Sequence, residues 1–482
     1  MTSPKQLHLV GPLVAAFLLM SCAGVQELDR TKRPVGKPAP KIMLPEIQKT
    51  KLSNGLNVWL VEHHELPTIA LNLVIQAGSD HDPLAQPGLA SMTADLIDEG
   101  TTTKNALQIS EEVESIGASF STSSSMDGSF MTLNTLKKHL DQALAVFTDV
   151  LTNPVFADKD LERVRKQRLG QLVQQRDQPV AIANNAYSYI LYGPTHPYGS
   201  NPSGTEASLA SMTASDLKKF YSTYYRPNNA TLIIVGDLKM TEVADALAKA
   251  LAGWKAGDIP AFTIPTPPAV EKMRVYLVDK PGAPQSEVRI GYPALARSTP
   301  DFFPVTLMNR MLGGQFTSRI NLNLRERHGF TYGARSGFSF QKGPGPFTAQ
   351  GGIVTEKTDS ALREFLYEIK LMKEKGLTAD ELGFVKKGAI GNFALAFETP
   401  GQIAGALQSI VLYGLPEDYF NRYLVNIDAV KLDEVQRVAG KYLDASKMAV
   451  LVVGDLARIK QSVIDLGLGE AVYSDVDGKP MH

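Results

Sequence analysis

Arg325 and Tyr332 are the residues of this sequence whose types and spacing first suggest chemistry. They lie in residues 312–332, L-G-G-Q-F-T-S-R-I-N-L-N-L-R-E-R-H-G-F-T-Y, where Leu312, Phe316, Ile320 and Leu324 recur every four positions. That repeat predicts one helix with a single stripe turned to a core, ended at Gly329. Arg325 then falls in the last helical turn, where a cation is favoured by the helix dipole, and Tyr332 falls on the strand that follows. A charged donor and a phenol hydroxyl are thereby held near one element junction. By spacing alone, they are as readily a solvated helix-end charge and an ordinary strand aromatic.

The rest of the chemical inventory excludes more than it offers. The eight histidines, His8, His63, His64, His81, His139, His196, His328 and His482, include no pair spaced i and i+4. His63 and His64 are adjacent, so on a strand they point to opposite faces. The single cysteine, Cys22, rules out an intramolecular disulfide and a cysteine-based zinc cluster. No G-x-S-x-G surrounds a serine and no phosphate loop ends in G-K-S or G-K-T. Asp95, Asp98 and Glu99 are spaced to share a helix face and could suggest a hard cation, although solvated carboxylates near a helix end are commoner. With 49 Lys and Arg against 50 Asp and Glu, the net charge of -1 gives no electrostatic case for nucleic acid.

The run L-R-E-x-x-G-x-x-Y after L-G-G-x-x-x-S-R resembles the C-terminal half of the pitrilysin and insulinase (M16) family of zinc peptidases. The resemblance implies that Arg325 and Tyr332 hold the backbone of a peptide substrate. Active relatives carry H-x-x-E-H in the first helix: two histidines at i and i+4 grip one zinc from one helix face, and the glutamate activates its water. The matching segment here is P-G-L-A-S-M-T-A-D-L-I-D-E-G-T, residues 87–101. Ser91 and Asp95 stand at the two ligand positions, Ala94 at the base and Gln171 at the third ligand. An alcohol, one carboxylate and an amide do not supply the imidazole nitrogens zinc prefers, and alanine cannot act as a base. No metal or catalytic residue is therefore expected in this chain. One branch of the family divides the two roles between subunits, which implies a homologous partner bearing H-x-x-E-H and the zinc. The alternative is a structural or peptide-binding relative with no role in proteolysis.

The elements that must position these residues follow from periodicity. Asn54-Gly55 is a hairpin signal before an alternating strand, and residues 69–77 read as a second strand. Helical periodicity covers 88–97, 106–116, 137–151, 160–175, 180–191 and 214–224, with paired strands in 118–133. Tyr224 begins Y-Y-R-P-N-N-A-T-L-I-I-V-G-D-L and Lys441 begins K-Y-L-D-A-S-K-M-A-V-L-V-V-G-D-L, the same order of aromatic, polar turn, apolar strand and Gly-Asp-Leu. The chain thus reads as a duplication. Irregularly interleaved strands and helices make the fold class α+β. The resemblance spans residues 45–475 and implies two duplicated domains of M16 type, each a mainly antiparallel or mixed sheet packed with helices, enclosing a cavity. The domains are placed at 45–258 and 271–475, joined by a proline-rich linker at 259–270 and followed by a tail at 476–482.

The start of the chain carries its own signal. Lys5 precedes a mostly apolar segment, residues 7–20, of signal-peptide length and too short to span a bilayer. Leu19-Met20-Ser21-Cys22 resembles the lipobox of bacterial lipoproteins, which implies a signal peptide over 1–21, lipidation at Cys22 and a tether over 22–44. Ala23-Gly24 after the cysteine implies an outer-membrane anchor facing the periplasm. Cys22→Ala is expected to release the protein from the membrane fraction, since acyl chains are the anchor this reading provides. Fractionation of cells expressing both forms checks this, and unchanged membrane association would refute it.

Overall fold

A computed structural model describes residues 45–481, so the signal segment, Cys22 and the tether lie outside the described residues. The first half builds strands β1 (Gln48–Lys51), β2 (Asn57–Glu62), β3 (Thr68–Ile75), β4 (Ser119–Ser124), β5 (Ser129–Leu136) and β6 (Ala230–Gly236). Its helices are α1 (Leu89–Leu96), α2 (Ala106–Ser115), α3 (Leu140–Thr152), α4 (Asp158–Gln175), α5 (Pro179–Tyr192), α6 (Glu206–Ser211), α7 (Ala214–Tyr224) and α8 (Met240–Ala250). The second half repeats the order with β7 (Arg274–Asp279), β8 (Gln285–Leu295), β9 (Thr331–Phe338), β10 (Gly345–Val354), β11 (Ala449–Gly454) and β12 (Glu470–Ser474). Its helices are α9 (Phe302–Leu312), α10 (Arg319–Asn321), α11 (Thr358–Lys375), α12 (Ala379–Ala394), α13 (Pro400–Tyr413), α14 (Tyr419–Ala429), α15 (Leu432–Tyr442) and α16 (Leu456–Ile464). A π-helical turn, Leu322–Arg327, extends α10.

The duplication is visible strand by strand. One sheet runs β1-β2-β6-β3-β5-β4 and the other β12-β7-β11-β8-β10-β9. In each, the Gly-Asp strand lies parallel to one neighbour, β6 to β2 and β11 to β7, and antiparallel to the next, β3 or β8. Only the outer strand differs: β1 precedes its sheet in sequence and pairs antiparallel, whereas β12 closes the chain and pairs parallel. The glycine ending each Gly-Asp strand has a steric reason. A Cβ at Gly236 would lie 2.3 Å from the Thr68 carbonyl oxygen, and one at Gly454 would lie 2.6 Å from Ser286 Oγ.

Each sheet is covered on one face by helices of its own half and on the other by a helix of the opposite half. Val61, Ala70, Val74, Ile233 and Val235 of the first sheet pack against Ile403, Leu407 and Ile410 of α13. In turn Ile182, Ala183, Ala186 and Tyr187 of α5 pack against Val278, Leu451 and Val453 of the second sheet. Polar contacts run alongside: Asn72 Nδ2 donates to Gln408 Oε1 at 2.9 Å, Gln76 Nε2 to the Val411 carbonyl at 2.8 Å, and the Tyr192 hydroxyl to the Pro344 carbonyl at 2.9 Å. Both covering helices open with proline at the first turn, Pro179 and Pro400, where its missing N–H costs nothing. Residues 255–270 carry no helix or strand, and they touch the first half: His196 Nε2 meets the Pro265 carbonyl at 2.9 Å and Phe262 packs on His81.

Two expectations are corrected. Residues 312–329 are not one helix: α9 ends at Leu312, the chain breaks through Gly313-Gly314, and helical structure resumes at Arg319. The break is forced by proximity, because a Cβ at Gly313 would fall 2.2 Å from the Ser336 amide nitrogen on β9. Leu312, Ile320 and Leu324 are buried as the stripe requires, but Phe316 sits in the break and is 64% exposed. Asp95, Asp98 and Glu99 do not share a helix face, because α1 ends at Leu96 and the latter two lie beyond it.

Because each half supplies a covering helix to the other, neither half can bury its sheet alone. Residues 45–258 and 271–481 expressed separately are expected to be insoluble or to lack cooperative melting, and to assemble when co-expressed. Circular dichroism melts and co-purification check this; two independently cooperative halves would refute it.

Candidate functional site

The first candidate locus is the segment that the resemblance sets against the family's metal site. Asp82 fixes the start of α1: its Oδ2 accepts the Gly88 amide and its Oδ1 the Ala90 amide, both at 2.7 Å. Burial pushes the Asp82 carboxyl up to about 7 despite those donors. On α1, Ser91 Oγ donates to the Pro202 carbonyl at 2.7 Å. Ala94 is buried, and its carbonyl accepts Thr122 Oγ1 at 2.7 Å.

The residue α4 turns toward this segment is Arg168, which the sequence reading did not single out. Its Nε and Nη2 both donate to Asp95 Oδ2, at 2.9 and 2.6 Å, and its Nη1 donates to Ser91 Oγ at 2.8 Å. Gln171, three positions on, is exposed on the same helix. A guanidinium thus bridges Ser91 and Asp95, the two residues that the resemblance sets at ligand positions, and their chemistry does not fit a metal: the carboxylate is neutralised and the hydroxyl is engaged. Beyond α1, Glu99 pairs with Arg163. Among the described residues, no group of three or more His, Cys, Asp and Glu side chains could hold a metal ion.

The second locus is an open cleft of about 540 Å³ where the second sheet emerges from beneath α5. Its rim carries Val180 at the start of α5, Phe316 from the α9–α10 break, and Tyr332 on β9, which is 89% exposed. Asn321 of α10 holds this rim in place: its Nδ2 donates to the Phe316 carbonyl at 2.7 Å and its Oδ1 accepts the Ala334 amide at 3.1 Å. Arg319 ties the same helical stretch to α12 through two bonds to the Glu381 carboxylate, at 2.9 and 2.7 Å. The junction predicted between Arg325 and Tyr332 exists, with Gly329 in the left-handed conformation at φ 65° between them. Tyr332 lines the cleft directly. Arg325 does not; it lies over the ring of Phe316, 4.6 Å from its centroid, with Nε 3.5 Å from Glu326 Oε1. Val180, Phe316 and the cleft floor were not legible as site residues, because α5 reaches the cleft only through the exchange of helices between halves.

Comparisons with known proteins agree with this architecture. Residues 57–194 match the family model for insulinase (peptidase family M16), and residues 211–388 match that for the peptidase M16 inactive domain. The chain is 25% identical over 429 residues to a non-peptidase homolog, YmxG, of Helicobacter pylori, covering 88% of this chain and 97% of that protein. It is also 25% identical over 434 residues to the zinc protease PqqE of the same organism, covering 86% of this chain and 90% of that protein. The crystal structure of a peptidase M16 inactive domain from Pseudomonas fluorescens superposes with a TM-score of 0.80 at 28% identity, covering 85% of this chain and 98% of that one.

If Arg168 performs the bridging between α1 and α4 that a metal would otherwise perform, chelators should leave stability untouched. EDTA is expected not to shift the melting temperature, whereas Arg168→Met should lower stability by about 1 kcal/mol, one charge-assisted contact with a half-exposed carboxylate. Thermal melts check both, and a chelator-dependent melting temperature would refute the assignment.

Proposed function

The chain belongs to the insulinase family, peptidase family M16, and we propose that it serves there as a non-catalytic subunit that positions an extended peptide for cleavage at the zinc of a homologous partner carrying H-x-x-E-H. The observation that carries this reading is the contrast between the two loci. Arg168 closes the segment where a metal would be held, while Tyr332 stands exposed on a cleft with Arg325 behind its rim. A family member that retained only its fold would have no need to leave a large aromatic so open to water. The two Helicobacter pylori relatives, one named a non-peptidase homolog and the other a zinc protease, support a division of labour between related chains.

In this role Arg325 donates to a peptide carbonyl and the Tyr332 hydroxyl adds a second donor. Between them they fix the backbone relative to the partner's zinc-bound water. Cys22 as a lipidated residue would hold the pair at the bacterial outer membrane, facing the periplasm. The packing of Arg325 on Phe316 favours one alternative, a structural or peptide-binding lipoprotein in which that stack only stiffens the rim.

Two outcomes are expected. Elemental analysis of the isolated chain should find no stoichiometric zinc, and the isolated chain should cleave no peptide. In a complex reconstituted with the zinc-bearing partner, Arg325→Ala should lower kcat/KM by about 10²- to 10³-fold if its donor acts on the transition state. Tyr332→Phe should lower it less while preserving the ring's packing. Full activity of the doubly substituted complex at unchanged melting temperature would favour the alternative reading.

A further inference from the structure

The floor of the Tyr332 cleft is cationic in a way the Arg325 and Tyr332 pair does not explain. Gln350 on β10 lies directly opposite Arg335 on β9 and directly opposite Arg289 on β8, so the three side chains form one row across one face of the sheet. At about 4.8 Å between neighbouring strands, the two arginine positions stand roughly 10 Å apart with a neutral amide between them. In the next row Gly352 lies opposite Glu287 and carries no side chain. A Cβ there would be 2.8 Å from Glu287 Oε1, so the position stays open as a trough between Glu287 and Tyr332.

The charges do not balance. Arg289 is 4% exposed; its Nη1 donates to Glu287 Oε2 at 2.9 Å and its Nη2 to Asn184 Oδ1 of α5 at 3.2 Å, while its Nε has no partner among the described residues. Arg335 is exposed, and its side chain makes no hydrogen bond or ion pair among them. Glu287, Arg289 and Arg335 are the charged residues lining the cleft, so two guanidiniums face one carboxylate that is already paired. An unpartnered donor on a buried guanidinium costs free energy unless something accepts from it. A carboxylate is the group whose planar oxygens match a guanidinium.

We propose that this row is a specificity site for a peptide carboxylate, with Arg335 as its principal partner and Gln350 and Arg289 beneath it. The proposal rests on the peptide-positioning reading and names what that reading leaves open, the chemistry of the bound segment. A peptide held by its backbone at Tyr332 places a neighbouring group over the Gly352 trough. An acidic side chain or a C-terminal carboxylate there meets Arg335.

Fluorescence anisotropy with the purified chain tests this with three labelled extended peptides: one with a central Glu and an amidated C-terminus, its Gln counterpart, and the Gln peptide with a free C-terminal carboxylate. The Glu peptide or the free-carboxylate peptide should bind about tenfold or more tightly than the neutral one, the size of a charge-assisted hydrogen bond. Which of them wins tells side chain from terminus. Arg335→Glu should reverse that preference in favour of the neutral peptide, Arg335→Gln should abolish it without inversion, and Tyr332→Phe should leave the ratio unchanged. Arg335 is exposed, so these variants should melt like the parent. Equal affinity for all three peptides, or a preference that survives Arg335→Glu, overturns the carboxylate site while leaving backbone positioning standing. Binding of none of them overturns both.

Discussion

The structure depends on an exchange of helices. α5 leaves the first half to cover the second sheet, and α13 leaves the second half to cover the first, so each sheet acquires its second apolar layer from the other copy. Fully burying an aliphatic side chain is worth about 1.5–3 kcal/mol, and each helix buries several on the opposite sheet. Interfaces between domains of one chain are ordinarily smaller and more polar, and motion across them is the default. Here the shared layers are parts of both cores, which removes that freedom. The cleft inherits its rigidity from this arrangement: Val180 stands on its rim because Pro179 starts α5 there, and Asn184, one turn on, accepts from Arg289 on its floor.

Duplication fixed the scaffold and left each copy free to specialise at corresponding points. The first helix of each copy leads toward the helix that precedes the hairpin strands, α1 toward α2 and α9 toward α10. In the first copy α1 carries Ser91 and Asp95, bridged by Arg168. In the second, α9 ends against β9 so closely that only glycine fits at 313, and the resulting break puts Phe316 at the rim. One half therefore presents a closed polar cluster and the other an open cleft.

Most of the fold was legible because periodicity and turn chemistry are local: the repeated Gly-Asp-Leu endings and the Asn54-Gly55 turn sit where local rules put them. The Arg325 to Tyr332 junction was legible for the same reason. The helix break was hidden because Leu312, Ile320 and Leu324 belong to one core whether or not the helix between them is continuous, so their spacing cannot report the interruption. Arg168, Arg289 and Arg335 were hidden for a different reason. Each gains its role from residues distant in sequence, Arg168 from Ser91 and Asp95, Arg289 from Asn184 in the opposite half, and Arg335 from its register with Gln350.

A bridge made by an arginine instead of a metal also changes what the first half can respond to. A metal-bridged pair of helices loosens when a chelator competes for the ion. The guanidinium is part of the chain, and its two bonds to one Asp95 oxygen join the helices without a component that a chelator can remove. Two groups held by one rigid fork also leave little room for a third: Ser91 is committed to Pro202 and to Arg168, and Asp95 to Arg168. Restoring imidazoles at 91 and 95 with Arg168 in place would set a cation against the metal they were meant to bind. A metal placed between these residues would therefore have a guanidinium to displace as well as ligands to gain.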